Sequence, residues 1–305
     1  LKLPIEYTFF EMAKLYLKSR GNKRWLVRTG GVSSSMRQED NMVIHRRGTA
    51  AKPVLILVHS LWLSHEMFQT LIQRYKHAFD IYAFDVYGHG ESNDCPIGVT
   101  DLNAIAQQVL HQLDDCGVDK SHFLGQSMGA DIVLRIALAM PHRVESMVLI
   151  GGSCGPTAPE RLAPMNDWIA GLTDTGFLAK DRKKARDILL GESTRSSEDS
   201  VALVEWVDKE LEYVTPSVIP VMHCVFARGG VCRELSELEI PSLVITGVED
   251  KARDIAHGQQ LATSLNGSQF VQIESCGHSP ILEQFETCAD ELSTFWNRSL
   301  VATHV

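Results

Sequence analysis

Residues 122–129 read His122-Phe123-Leu124-Gly125-Gln126-Ser127-Met128-Gly129, and a helical pattern runs on from there to Met140. The apolar start suits a buried strand and the run after Ser127 a buried helix. Ser127 then sits on a sharp strand-to-helix turn. Such a turn crowds the backbone and needs small residues two positions before and after the serine, and both are glycine. The bare pattern Gly-x-Ser-x-Gly says little, because at about 7% usage for Gly and a similar figure for Ser it arises by chance in about one chain of this length in ten. Its position between a strand and a helix gives it weight, and Ser127 is the candidate nucleophile.

Working outward, the apolar run Val54-Leu55-Ile56-Leu57-Val58, bounded by Pro53, predicts a strand covered on both faces. A strand at 81–85, a helix at 102–116, the strand at 122–124, the helix at 128–140 and a strand at 146–151 follow in turn. Strand alternating with helix implies right-handed crossovers and an α/β fold with a doubly wound, mostly parallel sheet. From about Cys154 the pattern becomes helical and charge-rich, with helices expected at 182–190 and 201–211. Trp168, Phe177, Trp206, Tyr213 and Phe226 fall in this region. The sheet resumes at 243–245, followed by a helix at 255–265, a strand at 270–273 and a final helix at 280–295. The expected organisation is a core of 25–154 and 238–305, interrupted by a helical cap at 155–237 and preceded by a basic amphipathic helix at 1–24. Short strands are also expected at 25–27 and 42–45.

The chain has 305 residues, 44% of them hydrophobic and 22% charged, enough apolar material for a large core. A formal net charge of -9 argues against nucleic-acid binding, which needs Lys and Arg to displace counterions from phosphate. The seven cysteines, Cys95, Cys116, Cys154, Cys224, Cys232, Cys276 and Cys288, are odd in number, scattered and without metal-ligand spacing. They are expected to be mostly buried free thiols in a reducing, cytoplasmic compartment. No apolar stretch approaches the roughly 18 residues of a membrane span. The helix at 1–24 has two readings: a helix packed on the domain or on another subunit, and an interfacial anchor that brings the protein to a membrane. A start at Leu1 without methionine is consistent with a trimmed chain whose beginning carried a targeting signal.

A serine hydroxyl is a poor nucleophile at neutral pH and needs a base. Of the 12 histidines, His278 in Gly277-His278-Ser279-Pro280 is the best candidate, on a short loop after the last strand. His59 and His89, also on loops at strand ends, compete for the role, but the order serine, acid, histidine favours His278. The acid should leave a strand end ahead of that histidine. Thr246-Gly247-Val248-Glu249-Asp250 does so, with Asp250 preferred and Glu249 and Asp254 as alternatives. The other usual place for the acid, after the strand ending at Ile150, holds Gly151-Gly152-Ser153-Cys154-Gly155 and no carboxylate. Attack on a carbonyl places charge on oxygen, for which two backbone N–H groups are expected: that of Met128 at the helix start and one from His59-Ser60-Leu61-Trp62, with Leu61 preferred.

At these residues the chain resembles the α/β-hydrolase fold superfamily, over nearly its whole length after about Met42. The segments His59-Ser60-Leu61, Asp85-Val86-Tyr87-Gly88-His89-Gly90-Glu91-Ser92, Gly125 to Gly129, Gly247 to Asp250 and Gly277-His278 stand in that superfamily's order. Ser60 departs from it, replacing the usual glycine and adding a side chain beside the oxyanion loop. The chain is most similar to the capped esterase and lactonase branch. That likeness implies a cap over Ser127, an apolar acyl or ring pocket lined by Trp62, Met128, Trp168 and Trp206, and no metal or organic cofactor. The implied activity is hydrolysis of a small-molecule carboxylic ester or lactone through an acyl-enzyme. Carbon–carbon bond hydrolysis or a lyase reaction with the same three residues is the alternative, and a small-ligand receptor with residual hydrolysis is a third. A serine rather than an aspartate at position 127 argues against epoxide hydrolases and haloalkane dehalogenases of this fold.

Overall fold

The computed structural model describes residues 41–92, 94–96 and 99–302, with side chains described as far as residue 297. The expected helix at 1–24 and strand at 25–27 lie outside the described residues.

The apolar runs form a seven-stranded sheet of β1 (Val43–Arg47), β2 (Val54–Val58), β3 (Asp80–Asp85), β4 (Ser121–Gln126), β5 (Val144–Ile150), β6 (Ser242–Gly247) and β7 (Gln269–Ile273), in the order β1-β3-β2-β4-β5-β6-β7. All pairs are parallel except β1 with β3. β3, β4 and β6 are buried throughout, as strands covered by helices on both faces must be, whereas the edge strand β7 is mostly half-buried.

In chain order the core helices begin with α1 (Gln69–Tyr75), α2 (Leu102–Asp115) and α3 (Met128–Ala139). Asp101 caps α2 by accepting the Ala104 N–H at 2.9 Å. Its apolar stripe, Leu102, Ile105, Ala106, Val109 and Leu113, recurs at the three-and-four spacing of a helix face and is buried. α3 has no such single face: Met128 to Ala137 are all buried, because it packs on β2, β4, β5 and α2 together.

Between β5 and β6 the chain forms α4 (Pro159–Thr175), α5 (Ala179–Leu189), α6 (Glu192–Ser196), α7 (Val201–Glu212) and α8 (Ile219–Phe226), with no strand among the described residues. The core closes with α9 (Ile255–Ser264), the short α10 (Pro280–Glu283) and α11 (Phe285–Ala302). The single final helix expected from the sequence is thus two, broken at Gln284.

Strand order reverses between β2 and β4: the chain steps from β2 to one side to make β3, then to the other to make β4. The carboxyl ends of β2 and β4 therefore form the switch point beside which ligands bind in sheets of this kind.

Two of the seven cysteines depart from expectation. Cys154, just after β5, and Cys232, before β6, form a disulfide across 78 residues, with Cα atoms 4.8 Å apart. Sequence distance hid this pairing; the two cysteines meet because the ends of the insertion return to adjacent strands. Cys95, Cys116, Cys224, Cys276 and Cys288 are free. Burial raises their thiol pKa values, to about 11 for Cys95 and Cys224 and about 12 for Cys288. Among the described residues no helix is long and apolar enough to cross a membrane.

Candidate active site

Ser127 lies between the last residue of β4 and the first of α3 with φ 54° and ψ -110°, a conformation that costs of order 1–3 kcal/mol for a residue with a Cβ. Three features hold it there. Its N–H donates to the Ile150 carbonyl at 2.8 Å, and its carbonyl accepts the Asp131 N–H at 3.1 Å. The flanking glycines provide the third. A Cβ on Gly125 would strike the Gly129 backbone, and one on Gly129 would strike the Val58 carbonyl. The close approach of α3 to the end of β2 therefore requires a glycine at 129.

The three residues singled out in order along the chain converge. His278 Nε2 lies 2.7 Å from Ser127 Oγ, and its Nδ1 lies 2.6 Å from Asp250 Oδ2. All three side chains are buried. Asp250 Oδ1 accepts the N–H groups of Ala252 and Arg253, each at 2.8 Å, which leaves Oδ2 to the imidazole. The Arg253 guanidinium in turn donates to both oxygens of Asp131 on α3, at 2.9 and 2.6 Å, so the acid loop is tied to the helix that begins at the serine. With Arg253, Arg228 and Arg135 nearby, Asp131 stays below the usual carboxylate range although it is fully buried.

The rival residues are placed elsewhere. Glu249 accepts the Ser193 N–H and hydroxyl from the insertion, and Asp254 caps α9. The His59 ring bonds the Ser60 carbonyl through Nδ1 at 2.8 Å and accepts the Val86 N–H through Nε2 at 2.9 Å. His89 Nδ1 bonds the Tyr87 carbonyl at 2.8 Å. Burial pushes these two histidines down to about 4 and about 3, so both stay neutral.

Leu61 is buried on the loop after β2, and Met128 is the first residue of α3. Ser60 is buried too, and its hydroxyl makes no hydrogen bond among the described residues. Beside this loop Trp62 meets three rings of the insertion, Trp168 at 5.4 Å, Phe226 at 6.4 Å and Phe177 at 6.5 Å between centroids. Trp206 is half-buried on α7.

Three contributors to this geometry escaped the sequence reading. Gln126 donates to the His278 carbonyl at 3.3 Å, Gly151 leaves room for the His278 ring, and Glu283 holds the backbone on both sides of His278. Of these only Glu283 carried a readable signal, a carboxylate five residues after the histidine at the start of a helical stretch.

The Asp85 motif serves the scaffold. Its carboxylate accepts the N–H groups of His65 and Glu91 and bonds the rings of His45 and His65. Burial opposes protonation of His65, but hydrogen bonds and charge from Asp85 and Glu66 outweigh it and raise the ring to about 10. His45, His65 and Asp85 are also residue types that bind metals. The two rings, however, stack 3.4 Å apart at 11°, so an ion in the plane of one lies well outside the plane of the other. As arranged, they form a hydrogen-bonded charge cluster.

The sequence profile of the alpha/beta hydrolase family matches residues 55–291. The chain belongs to this family. Among curated relatives, the hydrolase is 26% identical over 264 residues to the pimeloyl-[acyl-carrier protein] methyl ester esterase of Nitrosomonas europaea, covering 82% of this chain and 99% of that one. It is 24% identical to 3-oxoadipate enol-lactonase 1 of Acinetobacter baylyi, over 85% and 94% of the two chains. In three dimensions it is similar to a thermophilic esterase from Thermogutta terrifontis, with a TM-score of 0.77 and 22% identity over 85% of this chain and 93% of that one.

Proposed function

We propose that the protein hydrolyses a small-molecule carboxylic ester or lactone through an acyl-enzyme on Ser127. The observation that carries this reading is the buried chain of two short hydrogen bonds from Asp250 through His278 to Ser127 Oγ. His278 Nε2 takes the hydroxyl proton as Ser127 Oγ attacks the carbonyl carbon, and Asp250 stabilises the imidazolium. The N–H groups of Met128 and Leu61 receive the charge that builds on oxygen. The imidazolium gives its proton to the departing alkoxide oxygen, which leaves as the alcohol or, in a lactone, stays on the acyl chain as a hydroxyl. Water activated by the same histidine then releases the acid. The chemistry uses groups of the chain and water.

The named activities of the relatives, an ester hydrolase and an enol-lactonase, support this substrate class. Residues 155–237 act as a cap. The aromatic cluster of Trp62, Trp168, Phe177 and Phe226 where cap meets core favours an apolar acyl or ring group.

A panel of p-nitrophenyl esters and lactones tests the reading. Ser127→Ala should lower turnover at least about a thousandfold with the fold intact. Asp250→Asn should cost less than Ser127→Ala and more than Glu249→Gln. Surviving activity in Ser127→Ala, or a larger loss in Glu249→Gln than in Asp250→Asn, would overturn the assignment. An initial burst of p-nitrophenol marks an acyl-enzyme. Its absence, together with turnover of a vinylogous diketone, would favour carbon–carbon cleavage.

A further inference from the structure

Glu283 ends α10, five residues beyond His278, and is half-buried. Its carboxylate takes the Gly277 N–H at 3.0 and 3.1 Å and the Ser279 N–H at 2.9 Å, the residues on either side of His278. The same carboxylate reaches into the insertion, accepting the Gly191 N–H at 2.7 Å and the Thr194 hydroxyl at 2.6 Å. A Cβ on Gly277 would strike the Gly191 backbone, so the insertion crosses the histidine loop at a glycine–glycine contact. Glu249, adjacent to Asp250, accepts Ser193 from the same turn. The acid loop and the histidine loop thus each hold α6 through a carboxylate.

We propose that Glu283 is the positioning residue for His278 and that it acts jointly with residues 191–194, so that the insertion supports the general base as well as covering the site. The proposal rests on the hydrolase reading above. Gly277 supplies no side chain to stiffen the loop, and two N–H groups flanking the imidazole would otherwise lack a fixed partner. A single carboxylate fixes both. Two of its four donors belong to the insertion. A shift of the insertion therefore releases half of that grip, and an imidazole misplaced by about 1 Å can cost about a hundredfold in rate.

The test uses the full chain, with p-nitrophenyl acetate kinetics, the pH profile of kcat/KM, and the rate at which a fluorophosphonate labels Ser127. Glu283→Gln should lower kcat and the labelling rate in parallel by about ten- to a hundredfold while KM moves less than about threefold. Thr194→Val, a change within the insertion, should lower both about three- to tenfold, the scale of one lost hydrogen bond, and Thr194→Ser should restore them. Unchanged kcat with raised KM in Glu283→Gln, or wild-type behaviour of Thr194→Val, would overturn the proposal. If Glu283→Gln fails to fold by circular dichroism, the Thr194 pair decides. Should the wild-type protein turn over no ester, the hydrolase reading falls separately, and the labelling rates still decide the positioning role.

Discussion

Asp131 carries more of the site than its place in the sequence suggests. It is one helical turn beyond Ser127, fully buried, and clamps Arg253, whose N–H holds Asp250. Removing one member of such a pair strands a buried charge, which typically costs about 3–5 kcal/mol. Asp131→Ala should lose that much in urea unfolding and, because the acid loop slackens, more activity than its remaining folded fraction accounts for. Buried histidines set the pH dependence of stability. His59 and His89 are neutral in the fold, down at about 4 and about 3, but take up protons below about 6.5 once unfolded. The unfolded chain then binds more protons than the native one, so stability falls as pH drops from about 6.5 toward 4. His65, raised to about 10, works the other way. Its contribution is complete below about 6.5 and is lost as pH rises through about 10. Stability should therefore peak near pH 6.5. His89→Gln should flatten the acid limb by about 1.4 kcal/mol per pH unit, as read from denaturation midpoints across pH 4–6.5.

At the scale of elements, the turn between β4 and α3 depends on backbone clearance. Gly129→Ala would push a methyl into the Val58 carbonyl, and neither backbone can yield without parting α3 from β2. A loss of about 3 kcal/mol or more is expected in thermal unfolding, with activity falling even where the fold survives. The elements themselves were legible because their signals are local. Val54 to Val58 is apolar throughout, α2 repeats its stripe every three or four residues, and the order of Ser127, Asp250 and His278 needs only strand ends to be located. Choosing Asp250 over Glu249 one residue away was a weaker step. The two differ only in which side of the turn each carboxylate faces, toward His278 or toward Ser193, and no window of sequence carries that. Glu283 had a local sign, its place five residues after His278, but its insertion partners lie 89 to 92 residues away and left none. The antiparallel pairing of β1 with β3 is likewise set by the sheet and not by the strand's own residues.

For the molecule as a whole, the Cys154–Cys232 bond closes a loop around most of the insertion. A crosslink over that separation limits the unfolded chain and typically adds about 2–4 kcal/mol. Cys154→Ser, or prior reduction, should lower the urea midpoint accordingly, and adding reductant to the variant should produce no further drop. The bond has another consequence. It draws the two ends of the loop from 154 to 232 together, with Cα atoms 4.8 Å apart, so the covalent joining of that loop to the core is one neck however long or short the loop becomes. A graft of different length and lining could be set on the same core without touching Ser127, Asp250 or His278, provided it returned to the cysteine neck and offered donors to Glu249 and Glu283. Substrate range could then diverge among relatives while the bond-cutting apparatus stayed the same.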